Sequence, residues 1–94
     1  MYGTIARLQF KPGKREEAKA TFQNTQIPGL VVTYIYEADN NPDEAWLATV
    51  FESKEAYWAN AKSPEQNDRY LQMMEWMAAE PEWHDGEVTE ERNR

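Results

Sequence analysis

Apolar and polar residues alternate at the start of the chain, a pattern typical of a β-strand with one buried face. This strand is expected to stop at the Pro12-Gly13 turn signal. Three later segments are rich in β-branched and aromatic residues, which favour strands. The predicted strands are 2–11, 30–37, 45–52 and 83–89.

Three other segments have helical composition or repeat apolar residues at helical spacing. Ser53 follows an apolar run, and its hydroxyl can accept a hydrogen bond from a backbone N–H one turn on. Ser63 is expected to cap in the same way, because Pro64 suits the first helical position. The predicted helices are 14–25, 53–62 and 63–79.

The order of the predicted elements is β-α-β-β-α-α-β, which is the ferredoxin-like split βαβ plan with its second helix broken in two. The predicted fold class is therefore α+β, a four-stranded antiparallel sheet with the helices on one face. We expect a single domain over residues 1–89 and a polar C-terminal tail over 90–94.

The central hairpin lacks the alternation that a one-sided sheet should show. If helices cover one face, the other face should be polar, yet segments 30–37 and 45–52 are apolar on both faces. A second copy packed sheet against sheet, in a homodimer, would cover the open face. The alternative is a half-exposed aromatic sheet. Strict alternation places Leu30, Val32, Tyr34 and Tyr36 on one face.

Composition narrows the function classes. The 94 residues carry a net charge of −7, from 17 acidic and 10 basic side chains, which disfavours nucleic acid and membrane surfaces as partners. Cysteine is absent, so disulfides and cysteine nucleophiles are excluded. With a single histidine, no metal site is expected. No apolar run reaches the roughly 18 residues of a membrane span, and no signal peptide is evident, so a cytoplasmic location is expected.

Five segments spread over nearly the whole chain carry a family resemblance. They are FKPGK at 10–14, IPGL at 27–30, VFESKEAYWAN at 50–60, SPE at 63–65 and PEWHDGEV at 81–88. Together they resemble the antibiotic biosynthesis monooxygenase domain of the dimeric α+β barrel superfamily. The resemblance implies a homodimeric barrel with a pocket between sheet and helices in each subunit. Its characterised branches include cofactor-independent oxygenases of polycyclic phenols or quinols, and haem-degrading enzymes.

The haem-degrading branch has an Asn on the first strand, a Trp on the second helix and a His ligand on the third. The aligned residues here are Ala6, Asn60 and Tyr70, and all three depart from that pattern, so haem degradation is disfavoured. The resemblance instead favours oxidation of a small aromatic phenol or quinol by O₂ without any cofactor. The alternative is a non-catalytic dimer that binds a small hydrophobic ligand.

Three polar residues are candidates for catalysis. Asn60 and Tyr70 would face the pocket in this alignment and could orient a phenol. His84 is the only histidine, and it could deprotonate one. The alternatives are a core role for Tyr70, a surface position for Asn60, and a strand-edge pairing of His84 with Asp85.

The expected substrate pocket contains five further residues, of which Tyr34 could face either the pocket or the barrel. Methionines adapt to varied ligands, although core packing is the more common explanation for them. Tyr57, Tyr70 and the methionines could also fill the pocket and leave a structural dimer. The four tryptophans are expected in the core and the dimer contact, and Arg7 in an ion pair across the dimer. The five residues are Ala6, Tyr34, Tyr57, Met73 and Met74.

Overall fold

The computed structural model describes residues 1–21 and 26–93. Its strands are β1 (Tyr2–Gln9), β2 (Leu30–Glu37), β3 (Glu44–Phe51) and β4 (Glu82–Glu87). Its helices are α1 (Arg15–Ala20), α2 (Lys54–Ala61) and α3 (Pro64–Met74). The strands form one antiparallel sheet in the order β2-β3-β1-β4. This is the predicted ferredoxin-like α+β fold, and the predicted order of elements is confirmed.

One face of the sheet carries the core. Ala18 of α1 and Met73 of α3 are buried against the same strand residues, so the helices cover this face. The alternation predicted for β1 is confirmed, because Ile5 on the opposite face is 53% exposed. The buried strand residues on the helix side are Thr4, Ala6, Leu8, Ala45, Leu47 and Phe51.

Both predicted helix caps are present. The Ser53 hydroxyl accepts a hydrogen bond from the backbone N–H of Ala56 at 3.0 Å. The Ser63 hydroxyl accepts one from the backbone N–H of Gln66 at 3.1 Å, and Pro64 occupies the first turn. These bonds satisfy N–H groups that have no partner within their own helix.

The third helix ends five residues earlier than the predicted boundary at Ala79, at Met74. The chain after Met74 pairs with the C-terminal end of β1 and the residues that follow it, which β4 does not reach. Lys11 N–H donates to the Trp76 carbonyl at 2.8 Å, and Ala78 N–H donates to the Gln9 carbonyl at 2.8 Å. Pairing with a strand edge satisfies the backbone groups that a longer helix would have used.

A bulge in β2 corrects the predicted face of Leu30. The register with β3 shifts between Leu30 and Val32, so Leu30 turns to the helix side while Val32 stays on the other face. Gly29 precedes the bulge with φ 80°, and a Cβ there would lie 2.6 Å from the Cβ of Ala56. Glycine therefore permits both the turn and the close approach of α2.

The other boundaries of helices and strands differ only slightly from the predicted ones. The first helix was predicted over 14–25, and its positions 22–25 lie outside the described residues. The last strand starts and ends earlier than the predicted 83–89. None of the helices in residues 1–21 and 26–93 is long and apolar enough to span a membrane.

The helix-free face of the sheet is apolar and open in the described chain. Ile5, Tyr34, Tyr36 and Trp46 are between 41% and 59% exposed. Tyr36 lies opposite Trp46 in the register, and Ile5 and Tyr34 flank Ala48 from either side, so the patch is continuous. Arg7 on this face forms its ion pair within its own chain, where Nη2 lies 2.7 Å from Oε2 of Glu44.

Candidate functional site

A cavity of about 620 Å³ lies between the sheet and the helices α2 and α3. Its volume is in the range of pockets that enclose small organic ligands. Most of its wall is apolar, and two tryptophans contribute to it. The principal apolar lining residues are Ile27, Leu30, Leu47, Phe51, Trp58, Met73 and Trp83.

Three threonine hydroxyls lie on the strand side of this cavity. Thr33 and Thr49 satisfy each other, with their hydroxyl oxygens 2.9 Å apart. Thr4 is only 5% exposed, and its hydroxyl makes no hydrogen bond of good geometry among the residues that the structure describes, although its nearness to the Tyr57 hydroxyl lowers the pKa of that phenol. A buried hydroxyl without a well-formed hydrogen bond lowers the stability of the folded protein.

Tyr57 and Asp85 form the most polar contact of the cavity wall. The Tyr57 hydroxyl donates to Oδ1 of Asp85 at 2.7 Å. Burial, followed by this hydrogen bond, raises the pKa of Tyr57 to about 12. The phenol therefore stays protonated at neutral pH and acts as a donor, which leaves Asp85 as the proton acceptor of the pair.

The ring of Tyr57 is held by three edge-to-face aromatic contacts. Its centroid lies 5.2 Å from that of Tyr2, 5.6 Å from that of Phe51 and 5.2 Å from that of Trp58. Aromatic pairs in this geometry are favourable beyond their buried area. The hydroxyl of Tyr57 is thus presented to Asp85 by a packed cluster.

A second polar cluster joins α2 to α3 at the cavity. Arg69 donates from Nε and Nη2 to Oε1 of Gln66 at 3.2 and 3.0 Å, and from Nη2 to Oδ1 of Asn60 at 3.3 Å. Asn60 in turn donates to Oε1 of Gln66 at 3.4 Å. All three side chains line the cavity. The two amides orient the guanidinium without neutralising its charge.

Four of the eight residues expected at the site line this cavity: Tyr57, Asn60, Tyr70 and Met73. Ala6 and Met74 do not. Ala6 is fully buried in the core, and Met74 packs against the same core. Tyr57, Tyr70 and Met73 leave the cavity open. The alternative in which these side chains fill the pocket therefore does not hold.

His84 and Tyr34 lie on the other face of the sheet from the cavity. His84 is opposite Ile5 in the register, and its Nε2 lies 3.0 Å from Oε1 of Glu82. It does not pair with Asp85, because successive residues of a strand point to opposite faces. Tyr34 is 57% exposed on that face. The candidate base and one expected pocket residue are therefore separated from the cavity by the sheet.

Several cavity residues were missed by the sequence reasoning. Trp58 and Trp83 line the cavity, although all four tryptophans had been expected in the core and dimer contact. Alternation along the last strand could have identified Trp83 and Asp85, because the register places them beside Ala6 and Thr4 of the buried face. Arg69 carried no such signal, since its position depends on how α2 and α3 pack.

The fold and the cavity define a ferredoxin-like α+β domain with an aromatic-lined pocket on its helix side. Residues 1–69 match the family model of the antibiotic biosynthesis monooxygenases. The chain belongs to the antibiotic biosynthesis monooxygenase family. A search of curated proteins found no match.

Solved structures support the fold. A candidate antibiotic biosynthesis monooxygenase from Chloroflexus aurantiacus is 23% identical, with 98% of this chain and 96% of that chain covered and a TM-score of 0.83. Another candidate, from Caulobacter crescentus, is 18% identical, with coverages of 95% and 90% and a TM-score of 0.82. SnoaB from Streptomyces nogalater, a cofactor-independent oxygenase, is 12% identical, with coverages of 96% and 94% and a TM-score of 0.82. At these identities the similarity establishes the fold.

Proposed function

We propose that this protein oxidises a small aromatic phenol or quinol with O₂ and without a bound cofactor, in the cavity on the helix side of the sheet. The observation that carries the proposal is the Tyr57–Asp85 pair on the wall of a largely apolar cavity of about 620 Å³. Family membership and the likeness in fold to a cofactor-independent oxygenase support it.

The substrate supplies all the electrons in this reaction. Its hydroxyl proton passes to the Asp85 carboxylate, and the phenolate transfers electrons from a ring carbon to O₂, forming a carbon–oxygen bond. Asp85 returns the proton to the resulting peroxide. It then takes the proton from that ring carbon as the oxygen–oxygen bond breaks, and the departing hydroxide leaves as water. A phenol and O₂ thus give a quinone and one water.

Three neighbours would assist Asp85 by position and charge. The Tyr57 hydroxyl, kept protonated by its raised pKa, donates to the carboxylate and fixes its direction. Asn60 and Tyr70 line the same cavity and are proposed to orient the substrate. The apolar walls limit the access of water from the cavity side, while Asp85 itself lies on an exposed strand. His84 has no role in this scheme.

Oxygen uptake with a panel of hydroquinones and polycyclic phenols tests the proposal. We expect uptake above the no-protein control, with one atom of isotopically labelled O₂ in the product. Asp85→Asn should lower kcat by about 100-fold or more, in line with the usual contribution of a general base. Asp39→Asn, an identical change in an exposed loop, is the control. Uptake that never exceeds the no-protein rate would refute oxygenase activity, and full activity in Asp85→Asn would refute the assigned base.

A non-catalytic role in binding a small hydrophobic ligand is the second candidate function. The position of His84 favours it, because the side chain expected to act as the base lies across the sheet from the cavity. A binder would lose affinity in Tyr70→Phe or Asp85→Asn and show no turnover in either the parent protein or the variants.

We further propose that two copies pack through their helix-free faces as a homodimer. The continuous apolar patch of Ile5, Tyr34, Tyr36 and Trp46 supports this, since monomers rarely expose such a surface. A native mass spectrum should give about twice 11.0 kDa, and Trp46→Lys should give monomer. Leu71→Lys, a matched change at an exposed position of α3, should remain dimeric. A parent protein that runs as a monomer would refute the dimer. The cytoplasmic location stays a prediction.

A further inference from the structure

Arg69 brings a positive charge to the cavity that its partners leave uncompensated. It is half-buried, and its hydrogen bonds go to the neutral amide oxygens of Asn60 and Gln66. Within residues 1–21 and 26–93, no carboxylate forms an ion pair with it, and Nη1 has no hydrogen-bond partner. Arginine keeps its charge at any physiological pH. A charge held in place beside apolar walls is therefore available to an anion.

Nη1 is the part of the guanidinium that remains for an anion, because Nε and Nη2 already donate to Gln66 and Asn60. A carboxylate that accepts from Nη1 forms a charge-assisted hydrogen bond, which is stronger than a bond between neutral groups. Two amides already hold the Nε and Nη2 side of Arg69, so little side-chain freedom remains to be lost on binding. Preorganisation of this kind raises affinity.

The two polar clusters are separated along α2. Tyr57, which donates to Asp85, and Asn60, which accepts from Arg69, are three residues apart on this helix. Three residues correspond to a rise of about 4.5 Å. A ligand that reaches both clusters therefore carries two separate polar groups.

We propose that the cavity takes a hydroxyaryl acid, whose carboxylate binds Arg69 and whose hydroxyl meets Tyr57 and Asp85. The fate of the ligand's hydroxyl rests on the proposed oxygenase function. The recognition of its acid group by Arg69 does not.

Calorimetric titration with matched probes tests this assignment. The probes are a hydroxynaphthoic acid with its two groups on opposite rings, the primary amide of that acid, and the parent naphthol. The acid should bind at least about tenfold more tightly than the amide, as expected for hydrogen bonds to a charged group. Arg69→Gln should reduce this preference to within about twofold, and Arg69→Lys should keep part of it.

The control variant is Arg92→Gln, which removes the charge of an exposed arginine paired with Glu90. It should retain the full preference for the acid. Equal binding of acid and amide by the parent protein, or an unchanged preference in Arg69→Gln, would overturn the assignment. Failure of all three probes to bind would overturn it as well.

Oxygen uptake with a neutral quinol separates this inference from the proposed function. Arg69→Gln should raise KM for a hydroxyaryl acid at least about tenfold more than KM for the neutral quinol, because the quinol has no acid group for Arg69 to bind. An equal effect on both substrates would show that Arg69 acts through Asn60 or on the reaction itself, and would overturn the assignment while supporting oxygenase activity. If the parent protein shows no oxygen uptake but still binds the acid more tightly than the amide, the oxygenase function is refuted and the assignment of Arg69 remains.

Discussion

Replacement of Thr4 by valine should stabilise the protein. The Thr4 hydroxyl is buried at the cavity wall and makes no hydrogen bond of good geometry among the described residues, although it lies near the Tyr57 hydroxyl. An unsatisfied buried polar group costs about 1–3 kcal/mol. Valine keeps the β-branched shape that suits a strand, so the variant should gain about 1–2 kcal/mol in the free energy of unfolding.

Thermal unfolding at one fixed protein concentration measures this gain, since association would otherwise shift the midpoint. For a domain of this size, each kcal/mol moves Tm by about 4–8 °C. Thr49→Val is the matched control. The Thr49 hydroxyl is bonded to that of Thr33 at 2.9 Å, so its loss should destabilise the protein by about 1 kcal/mol. If both variants unfold at lower temperature than the parent, the Thr4 hydroxyl has a protein partner, and the Tyr57 hydroxyl is the candidate.

Three further predictions concern local contacts. Ser53→Ala should cost about 1 kcal/mol in the free energy of unfolding measured with urea, because the cap to the first turn of α2 is lost. An ultraviolet titration should show one tyrosine with a pKa of about 12 that falls in Asp85→Asn. Because the folded pKa of Tyr57 lies above its unfolded value, the stability it contributes is present below the unfolded pKa and declines as pH rises from about 10 towards about 12. The hydrogen bond from Lys19 lowers the pKa of Glu37. This ion pair therefore stabilises the protein at pH values above the usual carboxyl pKa, and the stability is lost as pH falls through the pKa of Glu37 in the folded protein. In an acid unfolding series, Lys19→Met should reduce this loss of stability.

The secondary structure followed largely from local signals. The caps at Ser53 and Ser63 act within one helical turn, and the strands are recognisable from alternation and from β-branched residues. The boundaries that differ have non-local causes. The chain after Met74 leaves the helix because the edge of β1 offers backbone partners, and those partners lie more than sixty residues earlier in the sequence.

The face on which a side chain lies was predictable where alternation was unbroken. The exposed position of Ile5 followed from it, and the same rule applied to the last strand would have separated His84 from Asp85. The bulge after Leu30 could not be foreseen, because the local sequence has no distinct signal for the extra residue. It brings Leu30 into the cavity wall.

The amino-acid sequence by itself determined the elements, their order and the family, because capping, alternation and turn residues act over a few positions and the family segments span most of the chain. The tertiary structure alone decided which polar groups share the cavity. Asp85 reaches Tyr57 through the pairing of β4 with β1, and Arg69 reaches Asn60 through the packing of α3 on α2. Contacts of this kind depend on three-dimensional distances between elements that no local pattern of residues encodes.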